Sequence, residues 1–275
     1  MTDDAVVSGE HPAAVVVPIF LYHSVSDVPA AGQEAFTVTP ARFAEHVEAI
    51  AASGRVGLTI SEYARALRGE RALPARAGAV TFDDGFADTL AAVEALRARG
   101  LTSTVYITSS RLDDASGITS PATREIAASG AEIGAHSVTH PHLDELQLAA
   151  VVEEIGEGKH ALEQRLELSI ATFAYPHGAH DQHVRGAVID AGFRSAVAVK
   201  NALSHSHDDP FALARITIMG DTPISTVLAA LDGRGAPIAW SGERYRTRAF
   251  REYRRLRRRA RGVSRRPTSV DTAER

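Results

Sequence analysis

Gly78-Ala79-Val80-Thr81-Phe82-Asp83-Asp84-Gly85 is the stretch whose reading decides the fold, and a helix-periodic segment over residues 86–99, ended by Gly100, follows it directly. A short, nearly continuous apolar and β-branched run reads as a strand buried on both faces, which belongs in a parallel sheet. The run stops at two carboxylates and a glycine before the chain turns helical. Strand, polar turn and helix make one βα unit.

The same unit recurs on either side. Upstream, residues 15–22 read as a buried strand, and Thr39 caps a helix that starts at Pro40 and spaces Phe43, Val47 and Ile50 along one face. Residues 56–60 are strand-like and 61–67 a short helix with Ser61 as its cap. Downstream, strands over 103–108, 132–135, 171–175, 194–199 and 212–218 alternate with helices over 121–129, 146–168, 181–191 and 223–231. That alternation predicts an α/β fold with a parallel sheet, and the placement of polar residues favours a barrel. Asp83-Asp84, His136 and Pro176-His177 each follow a predicted strand, as site residues do when βα loops gather at one face of a barrel.

Composition bounds the chemistry. At 275 residues and 44% hydrophobic, the chain is long enough for one large domain. With no cysteine, thiolate metal sites, disulfides and cysteine nucleophiles are excluded, so a metal must be held by carboxylates and the twelve histidines. Those donors suit zinc and other first-row divalent ions. The N-terminus lacks a basic region, and its apolar run stops at Pro18, too short for a secretory signal or a membrane span. The expected location is the cytoplasm. Net charge is −4, but residues 243–275 hold thirteen Arg against four acidic side chains, so a basic tail follows an acidic body. The expected division is an N-terminal tail over 1–14, a barrel over 15–235 and an Arg-rich tail over 236–275. Residues 243–266, with Arg around an apolar stripe that includes Tyr253 and Leu256, could lie on an anionic membrane, which would put the protein at the inner membrane face. A nucleic-acid partner is the weaker expectation, and oligomeric state is left open.

Two clusters carry candidate chemistry. Neighbouring residues on an extended chain point to opposite sides, so Asp83 and Asp84 can divide the roles of base and ligand. His136 and His140, four apart, share a face on a helix and can do so in a tight loop. Two imidazoles and one carboxylate leave coordination positions open, as catalytic metal sites do. Alone, Asp-Asp-Gly reads as a turn more often than a site; together at strand ends these residues read as one centre.

Thr81-Phe82-Asp83-Asp84-Gly85 with Phe86 and Asp88, then His136-Ser137-Val138-Thr139-His140-Pro141, then Phe173-Ala174-Tyr175-Pro176-His177-Gly178 resemble, in order, the first three motifs of the polysaccharide deacetylases, metal-dependent N-deacetylases of the carbohydrate esterase type. Leu21-Tyr22-His23-Ser24-Val25 and Leu213-Ala214-Arg215-Ile216 extend the likeness. The resemblance implies an irregular (β/α)7 barrel and a hydrolase that removes an N-acetyl group from an amino-sugar glycan or lipid-linked saccharide, as in exopolysaccharide biosynthesis. It implies one divalent ion, zinc first, with cobalt, nickel and manganese as alternatives. Asp84, His136 and His140 would hold it, Asp83 would be the base, and His177 would lend a backbone N–H to the oxyanion. The general acid is expected at His205 or His207, with His23 as a rival. His23, Tyr175, Pro176 and His177 are the expected substrate contacts. Two departures stand out: Ala174 occupies a position where many members carry an Arg that orients the base, and the family's Asp-Trp motif has no counterpart. Arg215 reads as a structural ion-pair partner. Rival readings are a hydrolase of a non-sugar or cyclic amide and a non-catalytic carbohydrate-binding barrel.

Overall fold

The computed structural model describes residues 14–240, 242, 252 and 253. Residues 1–13 and nearly all of the Arg-rich segment 243–266 lie outside the described residues, and with them the expected membrane-binding helix.

Seven parallel strands build the centre: β1 (Ile19–Tyr22), β2 (Ala77–Phe82), β3 (Thr104–Ile107), β4 (Glu132–Ala135), β5 (Thr172–Ala174), β6 (Ser195–Val197) and β7 (Ile216–Thr217). They lie in the order β6-β5-β4-β3-β2-β1-β7. Leu213 joins the two ends of this curled sheet: its N–H donates to Ala196 O at 3.0 Å, and its O accepts from Ala198 N–H at 2.8 Å. The barrel is irregular because a loop residue, not a full strand, makes that closure. The expected α/β barrel is what the chain adopts.

Strand pleat sorts the side chains into two layers. Phe20, Tyr22, Val80 and Phe82 join helix residues such as Phe43 and Leu96 in one buried cluster. Their neighbours Ile19, Ala79, Tyr106 and Ala174 form a second cluster inside the ring. Both layers are apolar, which is why these strands carry no polar alternation.

Among the described residues up to 240, seven helices follow the strands: α1 (Pro40–Ala52), α2 (Ile60–Leu67), α3 (Thr89–Arg97), α4 (Ser120–Ala128), α5 (Leu148–Leu166), α6 (Gln182–Asp190) and α7 (Ile224–Leu231). α2 differs from the rest. Its first N–H bonds Thr104 Oγ1 at the start of β3, and its Tyr63 and Ile60 belong to the inner cluster, so it closes the N-terminal end of the ring. Its cap is Thr59, not Ser61: Thr59 Oγ1 accepts from Glu62 N–H while the Glu62 carboxylate accepts from Thr59 N–H. That capping box pulls the helix start into the predicted strand 56–60, leaving only Val56–Gly57 extended. At the other boundary, Leu203 N–H bonds Pro237 O and Ala239 N–H bonds Leu203 O, both at 2.8 Å. The chain therefore still pairs with the barrel beyond residue 235.

Gly134 on β4 marks the tightest point inside the ring. A methyl group there would overlap the Tyr106 ring and come within 2.9 Å of Thr172 Cγ2. That ring is fully buried and its hydroxyl is tied to Thr172 Oγ1 at 3.0 Å, so it has no room to move. Gly134→Ala is expected to cost about 1–3 kcal/mol, the usual range for overpacking. Thermal melting should show Tm falling by about 2–4 °C per kcal/mol; an unchanged Tm would mean that the inner layer repacks freely.

Candidate active site

The candidate residues stand at the C-terminal ends of the strands, held by sheet hydrogen bonds. Asp83 N–H donates to Tyr22 O, His136 N–H to Ile107 O, and Tyr175 N–H to Val197 O, at 3.0, 3.0 and 3.1 Å. Just past each point the backbone turns left-handed: φ is 74° at Asp84, 63° at Ser137, 60° at His140 and 57° at His177. Such conformations cost non-glycine residues of order 1–3 kcal/mol and persist where the surroundings impose them. At Asp84 the turn corrects the expectation from extended geometry. Both carboxylates face the same imidazole, with His136 Nε2 3.8 Å from Asp83 Oδ2 and 3.6 Å from Asp84 Oδ1.

Asp84, His136 and His140 converge. Their nearest donor atoms lie within 4.8 Å of one another, with His140 Nε2 3.3 Å from Asp84 Oδ1 and 3.1 Å from His136 Nε2. His136 Nδ1 is 2.7 Å from Ala174 O. A carbonyl only accepts, so Nδ1 carries the hydrogen and Nε2 presents a bare lone pair to the trio. Asp84 Oδ1 is buried with no hydrogen-bond partner. Burial lowers the His136 pKa to about 3 and lowers that of His140, while burial raises that of Asp84. All three groups are thus pushed toward their uncharged forms, and a divalent cation reverses that logic by favouring bare imidazole and ionised carboxylate. The trio fits a metal ion. Arg111 Nη1 stands 3.8 Å from Asp84 Oδ2, over the Phe86 ring.

Asp83 is bound differently. Arg215, fully buried on the approach to β7, donates from Nη1 to Asp83 Oδ1 and from Nη2 to Oδ2, both at 2.7 Å. Its other donors reach Thr81 Oγ1 and Ala198 O at 3.2 Å, and its guanidinium lies over the Tyr106 ring. Burial alone would raise the Asp83 pKa; the Arg215 charge and hydrogen bonds hold it down at about 2. His136 adds nothing at neutral pH, because it is itself uncharged there. Arg215 thus gives Asp83 the bidentate partner that Ala174 cannot supply. A charged residue inside the apolar run 212–218 was the sequence signal, and it points to a partner of opposite charge.

The other expected residues divide. His23 follows β1 beside Asp83; burial lowers its pKa while the Asp83 and Asp84 carboxylates pull it back up, and its Nδ1 is buried without a hydrogen-bond partner. The His177 ring lies edge-on to His140 at 4.4 Å and stacks on His142 at 3.9 Å, so it borders the site. His205 and His207 do not reach it. Ser204–His205 pairs antiparallel with Val16–Val17, below the start of β1, and His205 Nε2 faces Ala239 O at 3.2 Å. The acid expected there sits at the opposite end of the barrel, where the Tyr63 hydroxyl of α2 donates to His205 O at 2.8 Å. Tyr175 is also corrected: it is fully buried, with its hydroxyl donating to Phe211 O at 2.9 Å, and Pro176 is buried beside it. Both support the loop and offer no face to a sugar.

Removing Arg215 should leave Asp83 as an uncompensated buried charge. Arg215→Met is expected to cost about 3–5 kcal/mol. The Asp83 pKa is depressed, so the pair stabilises the fold above the ordinary carboxyl value of 3.8 and loses that contribution as pH falls toward about 2. In the variant, burial raises the Asp83 pKa, so the destabilisation is full at neutral pH and shrinks as Asp83 is protonated in acid. Denaturant unfolding followed by circular dichroism should show the wild-type advantage falling between about pH 7 and about pH 3; an advantage that does not change with pH would show that Arg215 does not set the Asp83 charge.

Residues 70–196 match the polysaccharide deacetylase family model. The polysaccharide deacetylase homologue YxkH of Bacillus subtilis (strain 168) is 22% identical over 213 residues, covering 77% of this chain and 74% of YxkH. The Streptococcus pyogenes deacetylase PplD in complex with acetate superposes with a TM-score of 0.71 at 21% identity, over 78% of this chain and 97% of PplD. The de-N-acetylase from Aggregatibacter actinomycetemcomitans does so with a TM-score of 0.67 at 18% identity, over 77% and 98%. Motif order and family match agree: residues 70–196 carry the polysaccharide deacetylase domain of this family of hydrolases, and the solved structures share its fold.

Proposed function

We propose that this protein is a metal-dependent N-deacetylase of an amino-sugar polysaccharide or its saccharide precursor. The observation that carries the reading is the convergence of Asp84, His136 and His140 on one point beside an Asp83 kept ionised by Arg215. The names of PplD, crystallised with acetate, and of the Aggregatibacter de-N-acetylase agree with it.

An amide resists hydrolysis because its carbonyl is a poor electrophile and its nitrogen a poor leaving group. Asp84, His136 and His140 would hold a divalent ion, zinc in our reading, which would supply a Lewis acid for the carbonyl and would acidify a water. Asp83, with both oxygens tied to Arg215, is the fixed carboxylate that takes the attacking water's proton. The left-handed turn at His177 borders the same opening, where its backbone N–H would stabilise the oxyanion, a contact type worth about 3 kcal/mol. Nitrogen must leave protonated. We assign that transfer to His23, whose ring feels the charges of both Asp83 and Asp84 and whose Nδ1 is buried without a hydrogen-bond partner, in place of His205 and His207. Asp83→Asn should retain the metal, measured by elemental analysis, and lose turnover, whereas Asp84→Ala or His140→Ala should lose the metal. His23→Ala should lower kcat by about 10²–10⁴, the range for a general acid, without loss of metal.

No helix among the described residues is long and apolar enough to cross a membrane. We place the protein in the cytoplasm, at the inner membrane face, because residues 243–266 carry twelve Arg. Each basic residue near anionic lipid is worth about 1 kcal/mol, so deletion of 243–275 should abolish sedimentation with phosphatidylserine vesicles and spare deacetylation of a short soluble substrate. The reading as a whole is tested by acetate release from a panel of N-acetylated oligosaccharides, with chelator and with added metal. Metal-dependent acetate release is expected; hydrolysis of cyclic imides in its place, or none of any substrate, would overturn it.

A further inference from the structure

Both imidazoles of the metal trio hang on one loop, and that loop has a support outside the strand ends. Residues 137–140 begin and end in the left-handed region, with φ of 63° at Ser137 and 60° at His140. Internally, only the Ser137 hydroxyl braces them, accepting from His140 N–H at 3.0 Å. From the β3 side, Ser109 and Ser110 N–H groups donate to Ser137 O and Val138 O at 3.1 and 3.2 Å. From the other side comes α5. Glu154 Oε2 accepts from Val138 N–H at 3.0 Å and Thr139 N–H at 2.9 Å, and Oε1 accepts from the Thr139 hydroxyl at 2.5 Å. One helical turn further, at Gly158, a Cβ would come within 2.9 Å of Ser137 C and 3.1 Å of its O. Residues four apart share a helix face, so the carboxylate and the gap at Gly158 meet the loop together.

We propose that Glu154, with Gly158 beneath the loop, is a positioning residue for His136 and His140, and that it tunes how tightly this site holds its metal. The inference rests on the reading of Asp84, His136 and His140 as ligands. Glu154 touches neither imidazole and acts through the backbone between them. A turn that is left-handed at two non-glycine residues is costly to hold, and a carboxylate that takes all three donors of Val138 and Thr139 offsets that cost. The role is geometric: a Gln amide oxygen could accept both N–H groups, while its NH₂ donated to a rotated Thr139 hydroxyl.

The test is Zn²⁺ affinity of the full chain, measured by competition with a chromophoric chelator, alongside circular dichroism and melting of the metal-free protein. Glu154→Ala and Gly158→Ala are expected to weaken Zn²⁺ binding by about 10–100-fold, as loss of support behind a metal ligand does elsewhere, and Glu154→Gln to stay near wild type. Thr139→Val, which removes one of the three bonds and leaves α5 intact, should show a smaller loss and serves where Glu154→Ala does not fold. Wild-type affinity in Glu154→Ala or Thr139→Val, or a fall in melting temperature without loss of affinity, overturns the proposal. A Glu154→Gln variant as weak as Glu154→Ala overturns its geometric basis. Failure of the wild-type chain to bind any divalent ion overturns instead the ligand assignment on which it rests.

Discussion

Arg215 paired with Asp83 inside the barrel is the interaction around which the site is organised. Two opposite charges taken out of water cost several kcal/mol each, and only full hydrogen bonding offsets that loss. The ring meets the requirement by surrounding one guanidinium: Asp83 and Thr81 on the β2 side, Ala198 O beyond β6, and the Tyr106 ring of β3 below. The pair lies between the apolar inner layer and the open end of the barrel. The same guanidinium ties the approach to β7 to the end of β6 through Ala198 O, across the place where Leu213 completes the sheet. The weakest seam of the barrel and the charge state of the candidate base therefore depend on the same guanidinium.

Above that pair the site is built from corners. At Asp84, His140 and His177 the chain leaves the strand ends through left-handed residues that aim side chains back over the barrel mouth. Each corner needs outside support, supplied by Ala174 O for the His136 ring, by Glu154 for the loop between the imidazoles, and by buried Tyr175 and Pro176 for His177. The opposite end of the barrel is closed by α2, where Tyr63 bonds Ser204 Oγ and His205 O. One end is thus sealed by packing and the other left polar, which places the chemistry at the C-terminal strand ends.

Charge is distributed unequally over the two carboxylates. Burial acts on both, yet Asp83 is driven well below the ordinary carboxyl value by the guanidinium while Asp84 is raised, with Arg111 only partly opposing that rise. Adjacent residues of the same type thereby differ: both Asp83 oxygens are held by Arg215, whereas Asp84 Oδ1 is buried without a hydrogen-bond partner and Arg111 stands 3.8 Å from Oδ2.

The sequence by itself determined the βα order and the barrel, and placed Asp83, Asp84 and His136 just past strand ends as candidates together with His140, because these depend on local pattern: apolar runs, caps, glycine stops and polar residues at run ends. It also determined that no metal site here uses a thiolate, since the chain has no cysteine. What it could not determine was which distant residues meet. His205 and His207 were expected in a proton-transfer role from the family resemblance but lie at the far end of the barrel, while His23, near the N-terminus, meets Asp83 through strand pairing. Arg215 replaces a partner absent at Ala174 from 41 positions further along the chain, and Glu154 reaches the ligand loop from the next helix. Those contacts depend on ring closure and helix packing, which bring together residues far apart in the chain and leave no periodic trace in the sequence.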